Sequence, residues 1–358
     1  MIRVAGTIQN NKVVMEKCKF MTDRVDLVND NRSFDTEKGE NILSAALRQG
    51  IVIPHNCRNG ICGSCMGLLH SGKVDHGTDR LPALSKEKEQ QGYVLCCKAK
   101  TKTNIRLQVE TINVVANIEI KTLTCRVKHM QKLADDVMLL ELKLPPHEKF
   151  EFRAGQYLDF LLPATKRRSF SLAHSPTNSE TIQLHIRHVP GGAFTGKVFN
   201  EMKVKDLLRI QGPFGTFIMR DHSRPAILIA GGTGLAPLKS MLEVVREHGC
   251  ERPLHLYWGV RAGKDLYFDG QLKQWDKDLD CLHYTPVLSE PDAADDWQGV
   301  RGWVHEAVIA DFPDLAGLDV YASGPPPMIN AIQQSFPSQG LEQGRLYFDS
   351  FEYSSGGE

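Results

Sequence analysis

The spacing of apolar and polar positions divides the chain into three stretches with different rhythms. The first stretch contains strand-like segments at 24–29 and 31–34, and an amphipathic helical segment that ends at Gly50. A cysteine-rich loop, a strand at 67–69, a short polar helix at 84–89 and a strand at 93–95 follow. This succession predicts a small α+β domain of the β-grasp type.

The second stretch consists mainly of strand-like segments, whereas the third alternates strand-like and helical segments. Short apolar segments separated by turn signals occur at 125–129, 137–144, 156–162, 170–173, 182–188 and 207–211. Their regular succession predicts an antiparallel β-barrel. From Pro225 onward, strand segments at 226–230, 254–259, 283–288 and 319–322 are interspersed with helical segments at 238–248 and 328–336. That alternation is typical of a parallel α/β sheet.

The expected fold class is therefore multidomain, with α+β and α/β parts, and 358 residues are too many for one ordinary core. The apolar, β-branched segment 111–121 is interpreted as the hinge between the first two modules. We predict these bounds: an N-terminal extension 1–23, a first domain 24–113, a linker 114–121, a barrel 122–221, an α/β domain 222–353 and a tail 354–358.

Composition narrows the function classes without identifying one. Lysine plus arginine and aspartate plus glutamate both number 43, so no nucleic-acid or anionic-lipid partner is indicated. No apolar run is long enough to span a membrane, and no signal-peptide pattern is visible at the start. Nine cysteines, three of them in one loop, fit metal ligation in a reducing compartment better than a disulfide framework. We expect a soluble, cytoplasmic protein in which Cys125, Cys250 and Cys281 are buried or idle thiols.

Cys57, Cys62 and Cys65 stand at C-x4-C-x2-C spacing, with Gly60 and Gly63 between them. This is the plant-type ferredoxin spacing, in which four thiolates hold a 2Fe–2S cluster. Glycines let backbone N–H groups approach the sulfur atoms. A structural zinc site is the alternative, but it normally pairs two C-x2–4-C knuckles and only one is present.

The fourth ligand is Cys96 or Cys97, and chemistry alone does not choose between them. Plant-type ferredoxins commonly end their ligand set in Leu-x-Cys-x-Ala, and this resemblance places the ligand at Cys97. Arg58, Asn59 and Ile61 are expected to lie exposed at the cluster rim, where a partner protein would dock.

Two segments of the predicted barrel carry candidate flavin chemistry. Arginine, phenylalanine and serine in segment 168–171 can supply a forked donor for a diphosphate, a flat ring surface and a small hydrogen-bonding group. Alone, this basic segment is more simply a solvated strand edge. A second segment, 185–195, places paired glycines before a helix start, where N–H groups bind phosphate. The candidate residues are Arg168, Ser169, Phe170, Ser171, His185, Arg187, Gly191, Gly192 and Thr195.

A glycine-rich loop follows the first strand of the α/β stretch. Its glycines would let the backbone approach a pyrophosphate, although a tight strand–helix turn is the simpler alternative. A glycine–proline turn after the last predicted strand would face the same crevice. The candidate residues are Gly231, Gly232, Thr233, Gly234 and Pro237 in the loop, and Gly324 and Pro325 in the turn.

Taken together, residues 122–351 resemble the ferredoxin–NADP reductase-like flavoprotein superfamily, whose motifs are R-x-[YF]-S, a glycine-rich flavin-phosphate segment, G-G-x-G-x-x-P and C-G-P-P-x-M. With the ferredoxin-like part, the whole chain resembles one-polypeptide iron–sulfur flavoprotein reductases. Segments 254–261 and 304–308 are similar to the CDP-6-deoxy-delta-3,4-glucoseen reductase group. The domain order is also that of reductase components of aromatic-ring dioxygenases and multicomponent monooxygenases.

The resemblance implies FAD, a 2Fe–2S cluster and a nicotinamide nucleotide as cofactors. Arg168 would hold the flavin diphosphate, Phe170 would pack on the flavin and Ser171 would lie near its N5 atom. Gly192 and Thr195 would contact the flavin phosphates, and Phe351 would cover the ring. Ser323 stands where the family usually has a cysteine near the nicotinamide, so Ser171 and Ser323 are the candidate catalytic residues.

The implied activity is electron transfer from NADH through FAD and the cluster to a separate, transiently bound acceptor protein. Arg261 and Lys264 permit a contact with the 2′-phosphate of NADPH, whereas Asp265 opposes one, and NADH is favoured. A deoxysugar dehydrase or an oxygenase component is the expected acceptor. The alternative hypothesis is that the protein is not an enzyme but a redox sensor or a zinc-stabilised binding module.

Overall fold

The structure, a computed structural model, describes residues 22–78, 81–112, 118–164, 166–178, 180–220, 223–292 and 296–351. The expected N-terminal extension lies almost wholly outside these residues, and so do the whole of the expected tail and the first half of the expected linker, 114–117. The rest forms three successive domains whose architectures confirm the predicted fold class.

The first domain is a mixed five-stranded sheet covered by one helix. The strand order is β2-β1-β7-β3-β5, with β1 and β7 parallel and the other pairs antiparallel. The side chain of Asn41 begins the helix by accepting the Ser44 N–H at 2.8 Å. The elements are β1 (Asp23–Leu27), β2 (Ser33–Thr36), α1 (Ile42–Arg48), β3 (Met66–Ser71), β4 (Val74–Asp75), α2 (Lys86–Gln90), β5 (Tyr93–Leu95), β6 (Lys100–Thr101) and β7 (Ile105–Gln108).

The second domain is a six-stranded antiparallel barrel with strand order β11-β10-β13-β8-β9-β12. A bridge between Leu172 and Leu184 joins the two ends of this order, so the sheet closes on itself. Its elements are β8 (Lys121–Ala134), β9 (Val137–Lys143), β10 (Tyr157–Leu161), β11 (Arg167–Ser171), β12 (Thr181–Arg187), α3 (Ala193–Asn200) and β13 (Leu207–Phe214).

The third domain is a parallel sheet with strand order β17-β16-β15-β14-β18-β19. Helices cover both faces of this sheet, as its nearly continuous apolar strands require. The elements are β14 (Ala226–Gly231), α4 (Leu235–His248), β15 (Leu254–Val260), α5 (Asp269–Asp278), β16 (Leu282–Leu288), β17 (Val300–Arg301), α6 (Val304–Asp311), β18 (Asp319–Gly324), α7 (Pro326–Ser335) and β19 (Leu346–Ser350).

One cysteine expectation is wrong in this domain. Cys250 and Cys281 form a disulfide rather than two idle thiols. Cys250 lies just after α4 and Cys281 just before β16, and the two meet because β15 and β16 are neighbours in the sheet. Cys125, by contrast, is a buried free thiol in the barrel, as predicted.

The first domain is attached to the barrel through a small apolar contact. Val52 from the first domain packs with Ile112 and Ile218, so the cysteine loop that follows Val52 is directed toward the barrel. None of the helices in the described parts of the chain is both long and apolar enough to cross a membrane.

Candidate functional site

The cysteine loop lies between α1 and β3, on the side of the first domain that faces the barrel. Gly60 and Gly63 adopt φ of 90° and 78°. The positive φ at Gly60 is the conformation that favours glycine, whereas the 2.8 Å approach of a Cβ there to the Leu81 side chain could be relieved by a shift of that leucine. The N–H of Cys62 donates to the Sγ atom of Cys57 at 3.3 Å. The loop thus turns backbone N–H groups toward sulfur, as a cluster-binding loop does.

The four candidate ligands form two contacting pairs. A hydrogen bond from the Cys62 thiol lowers the pKa of Cys57 to about 5, and backbone N–H groups act in the same direction against burial. A hydrogen bond from Cys97 lowers the pKa of Cys65 in the same way. The same hydrogen bonds raise the pKa of Cys62 and of Cys97, so in each pair one cysteine is favoured as the thiolate and the other holds the proton. The thiolate is the form that ligates metal, and Cys57 and Cys65 are therefore the readily ionised members of their pairs.

Within the described residues, no group of three or more His, Cys, Asp or Glu side chains is arranged to hold a single metal ion. The pairs Cys57–Cys62 and Cys65–Cys97 have a different arrangement. A 2Fe–2S cluster takes two protein ligands on each of its irons. Two adjacent pairs of thiols, with N–H groups directed at sulfur, therefore fit this cluster.

The structure also distinguishes the two neighbouring cysteines. Cys97 contacts Cys65 across the loop, whereas the Cys96 thiol is fully buried in the core of the first domain. Burial raises the pKa of Cys96 well above its ordinary value. The two cysteines lie in a turn that follows β5, in which the N–H groups of Lys98 and Ala99 both donate to the Leu95 carbonyl.

The arginine–serine motif forms strand β11 of the barrel. Arg168 is half-exposed and its Nη1 atom donates to the Arg167 carbonyl at 2.8 Å. Phe170 is half-buried in an aromatic cluster, with its ring centroid 5.7 Å from that of Phe160 and 5.5 Å from that of Phe194. Ser169 donates to a buried carboxylate, Asp159, at 2.7 Å. The strand thus presents a cation and a ring beside a packed aromatic base.

The second candidate flavin segment is a helix start. Gly192 is the N-cap of α3, and Gly191 before it has φ of 75°. The Thr195 hydroxyl accepts the Val189 N–H at 3.1 Å and so holds the turn closed. The free N–H groups at the start of α3 are suited to a phosphate.

His185 and Arg187 face the third domain instead. His185 is buried, and its Nδ1 atom lies 3.1 Å from the hydroxyl of Tyr267. Burial lowers its pKa to about 3, so it is a neutral interface side chain. Arg187 donates to Asp136 at 2.8 Å, and its Nη1 atom would lie 2.8 Å from a Cβ placed on Gly232.

The glycine-rich loop and the proline turn meet at the carboxyl edge of the parallel sheet. A Cβ on Gly234 would lie 1.9 Å from the Ser323 carbonyl oxygen, and one on Gly231 would lie 2.8 Å from Pro325. Gly232 has φ of 55°, and Thr233 is buried beside it. Pro237 lies in the first turn of α4. This crevice, with the backbone accessible over glycines, is where parallel α/β sheets bind nucleotides.

Ser323 and Ser171 both lie buried near this crevice. Among the described residues, the Ser323 hydroxyl has no hydrogen-bond partner. Such an orphaned buried group is expected where a ligand supplies the missing partner. Phe351 is held at the same place, because its N–H donates to the Gly324 carbonyl at 2.8 Å.

Asp349 is a site residue that the sequence reasoning missed. Its carboxylate accepts the Ser171 hydroxyl at 3.3 Å. Burial, with a smaller contribution from the charge of Cys57, raises the pKa of Asp349 to about 7. The only sequence signal was an acid inside the apolar segment that precedes Phe351.

Asn56, which immediately precedes Cys57, brings the three domains together. Its side chain donates to the Phe348 carbonyl on β19, and its own carbonyl accepts the Tyr157 hydroxyl of the barrel. The cysteine loop therefore packs directly against the residues that surround Ser171 and Asp349.

The expected exposure of Arg58 is wrong. Its guanidinium leaves the first domain, pairs with Asp159 of the barrel and lies over the ring of Phe214. Asn59 is exposed and Ile61 is 41% exposed, as predicted.

Comparison with known proteins gives the same three parts. Residues 26–102 match the profile of the 2Fe-2S iron-sulfur cluster binding domain, 124–219 the oxidoreductase FAD-binding domain and 228–334 the oxidoreductase NAD-binding domain. The chain is 39% identical to the CDP-6-deoxy-L-threo-D-glycero-4-hexulose-3-dehydrase reductase of Yersinia pestis, over 89% of this chain and 95% of that protein.

This chain belongs to the iron–sulfur flavoprotein reductases. The reductase is also 31% identical to the toluate 1,2-dioxygenase electron transfer component of Pseudomonas putida, over 94% of this chain and 99% of that protein. Its fold matches that of the Amycolatopsis cytochrome P450 reductase GcoB with a TM-score of 0.79 and 31% identity, over 93% of this chain and all of GcoB. It is an oxidoreductase with cluster, FAD and NAD domains, which confirms the predicted family and cofactor classes.

Proposed function

We propose that this reductase oxidises NADH and delivers the two electrons singly, through its flavin and cluster sites, to a partner protein. The observation that carries the proposal is the position of Asn56. Asn56 immediately precedes Cys57, the first candidate cluster ligand. It contacts Tyr157 on β10, the strand beside β11, and Phe348 on β19, the strand beside the nucleotide crevice. A chain with this arrangement can hand electrons between the three sites without moving its domains apart.

When bound, the nicotinamide supplies a hydride, the flavin divides its two electrons, and the cluster carries them one at a time. Each NADH thus yields NAD⁺, one proton and two single-electron transfers. The protein's contribution is placement. Cys57, Cys62, Cys65 and Cys97 would hold the cluster. Arg168 and the start of α3 would hold the flavin phosphates, and Phe170 would support the ring.

The crevice residues would orient the nicotinamide. Gly231–Gly234 would admit the pyrophosphate, and the Ser323 hydroxyl, which has no hydrogen-bond partner in the described part of the chain, would find one in the bound nucleotide. The Ser171–Asp349 pair can hold a proton at the Asp349 carboxyl, whose raised pKa of about 7 keeps it partly protonated at neutral pH. Phe351 would cover the flavin until the nucleotide arrives.

The proposed preference for NADH rests on negative charge at the carboxyl end of β15. Asp265 is fixed there because its carboxylate accepts the Ala262 N–H at 3.3 Å. Arg261, the candidate phosphate ligand, lies between this acid and Asp136, at 3.9 and 3.7 Å. A 2′-phosphate would meet two carboxylates, whereas ribose hydroxyls can donate to them.

The proposed acceptor is a dehydrase component of deoxysugar synthesis, because the Yersinia relative, a dehydrase reductase, is 39% identical. An oxygenase component is the second candidate, supported by the 31% identity to the toluate dioxygenase component over almost the whole chain. Asn59 and Ile61 would form part of the docking rim, and the encounter would be small and transient.

Anaerobic titration of the purified protein with NADH tests the relay. We expect flavin and iron–sulfur absorption bands that both bleach with NADH and respond more weakly to NADPH. The Cys62→Ser variant should keep NADH-driven bleaching of the flavin but lose cytochrome c reduction. A colourless zinc protein, or equal loss of both reactions in Cys62→Ser, would contradict the proposal.

A further inference from the structure

Arg58 has an unusual place in the cysteine loop. It follows Cys57 directly, and its backbone lies in the left-handed region with φ of 54°. Non-glycine residues seldom adopt this conformation. Here it turns the side chain away from its own domain and into the barrel.

The guanidinium enters a site built by two barrel strands. It lies 3.7 Å from the ring centroid of Phe214 on β13 and 5.7 Å from that of Tyr157 on β10. It also pairs with the carboxylate of Asp159, which is fully buried on β10. Arginine combines stacking on rings with a directional ion pair, so it fits this site better than lysine would.

Asp159 depends on this contact across the domain boundary. Within the residues that the structure describes, its other partners are the Ser169 hydroxyl at 2.7 Å and Arg167, which is 49% exposed and 3.5 Å away. A buried carboxylate is costly when its close cation is removed. Separation of the first domain from the barrel would therefore leave Asp159 poorly compensated, and the docked arrangement is favoured.

We propose that Arg58 is a positioning residue that locks the cluster domain onto the flavin barrel during turnover. This inference rests on the proposed flavin-to-cluster transfer. It adds that the cluster domain stays docked on the barrel while it passes electrons to the acceptor, and does not detach from the barrel to reach it. A partner must then come to the part of the loop that stays exposed, which includes Asn59 and Ile61.

The test compares Arg58→Met and Arg58→Lys with a matched control, Arg24→Met. Arg24 belongs to the same domain and also pairs with an aspartate, Asp26, but both side chains are about half exposed. Each variant is mixed with NADH under anaerobic conditions, and bleaching of the flavin and of the cluster is followed separately.

We expect Arg58→Met to bleach its flavin at the wild-type rate but to reduce its cluster at least about tenfold more slowly, since loss of a buried pair shifts docking by roughly 100-fold. Arg58→Lys should recover part of the rate, because it restores the charge but not the planar stacking. Arg24→Met should match the wild type. X-ray scattering should give a larger radius of gyration for Arg58→Met alone.

Wild-type cluster reduction in an Arg58→Met protein with full flavin and cluster content would overturn the inference. If that variant fails to assemble its cluster, Asp159→Asn removes the same pair from the barrel side. Slow cluster reduction there supports the lock, and a wild-type rate overturns it. Failure of the underlying relay would look different, because NADH would then fail to reduce the cluster of the wild-type protein.

Discussion

At the scale of single residues, His174 makes stability depend on pH. Burial, aided by the nearby charge of Lys239, lowers its pKa to about 4 from an ordinary 6.5. Its Nδ1 atom accepts the Gln183 N–H at 3.3 Å, so the neutral ring is part of the fold. The unfolded chain takes up this proton below about pH 6.5, but the folded protein does so only near pH 4. Stability is therefore lost as pH falls through this window, by up to about 3 kcal/mol.

His174→Gln should remove much of this acid sensitivity, because glutamine can accept the same N–H without titrating. The measurement is the thermal midpoint at pH 5 and pH 7.5, and the difference between the two should shrink in the variant. His70→Gln, at an exposed position on β3, is the control. An unchanged pH difference in His174→Gln would show that other groups carry the effect.

The sequence was enough to propose candidate ligands, but it did not predict what surrounds them. Cys57, Cys62 and Cys65 are proposed as ligands from their spacing, because cluster chemistry constrains residues that are close in sequence. Two features could not be predicted: that the Arg58 side chain packs into the barrel instead of lying exposed, and that Asp349 contacts Ser171. Arg58 meets Asp159 at a separation of 101 residues, and Asp349 meets Ser171 at 178. Contacts at such distances depend on how domains dock, which local pattern does not encode.

At the scale of elements, the turn from β14 into α4 is held by a backbone contact that admits no side chain. A Cβ on Gly234 would lie 1.9 Å from the Ser323 carbonyl oxygen and 2.9 Å from the Gly324 nitrogen, both rigid backbone atoms. Gly234→Ala must therefore force the loop and the proline turn apart. We expect NADH-driven flavin reduction to fall at least about 100-fold and the domain to lose roughly 2 kcal/mol of stability.

Gly270→Ala is the matched control, since Gly270 lies inside α5 with open space around its Cα atom. There alanine should stabilise the helix by about 0.5–1 kcal/mol and leave NADH oxidation unchanged. Thermal unfolding and single-turnover flavin bleaching measure both effects. Equal behaviour of the two alanine variants would argue that the Gly234 contact is not needed for nucleotide binding.

The elements that could be predicted from the sequence are those whose apolar residues recur at a regular spacing or form a continuous run. Barrel strands and buried parallel strands carry continuous or alternating apolar residues, and they were found. Helix α5 was missed, because only Leu272 and Trp275 of its ten residues are buried and the rest are polar. Strand β7 was missed as well. Three of its four residues pair in parallel with β1, about 80 positions earlier, so its place depends on distant partners.

At the scale of the whole molecule, the three domains are coupled through the segment that leads into the cluster loop. His55 accepts the Gly215 N–H through Nε2 at 3.2 Å, and the Asn56 side chain reaches both the Thr216 N–H at 3.4 Å and the Phe348 carbonyl. Buried polar partners left unpaired cost about 1–3 kcal/mol each. A single side chain here thus couples the folding of one domain to the docking of two others.

Asn56→Ala should therefore weaken this coupling without touching a ligand. Calorimetry should show the unfolding of the first domain separating from that of the other two, with a midpoint several degrees lower. Asn330→Ala, at an exposed position on α7, should leave the transition unchanged.

Because Asn56 and Arg58 hold the same loop, the double variant Asn56→Ala/Arg58→Met should lose less stability than the sum of the single losses. Strict additivity would mean that the two contacts act independently and that the loop is not docked as one unit.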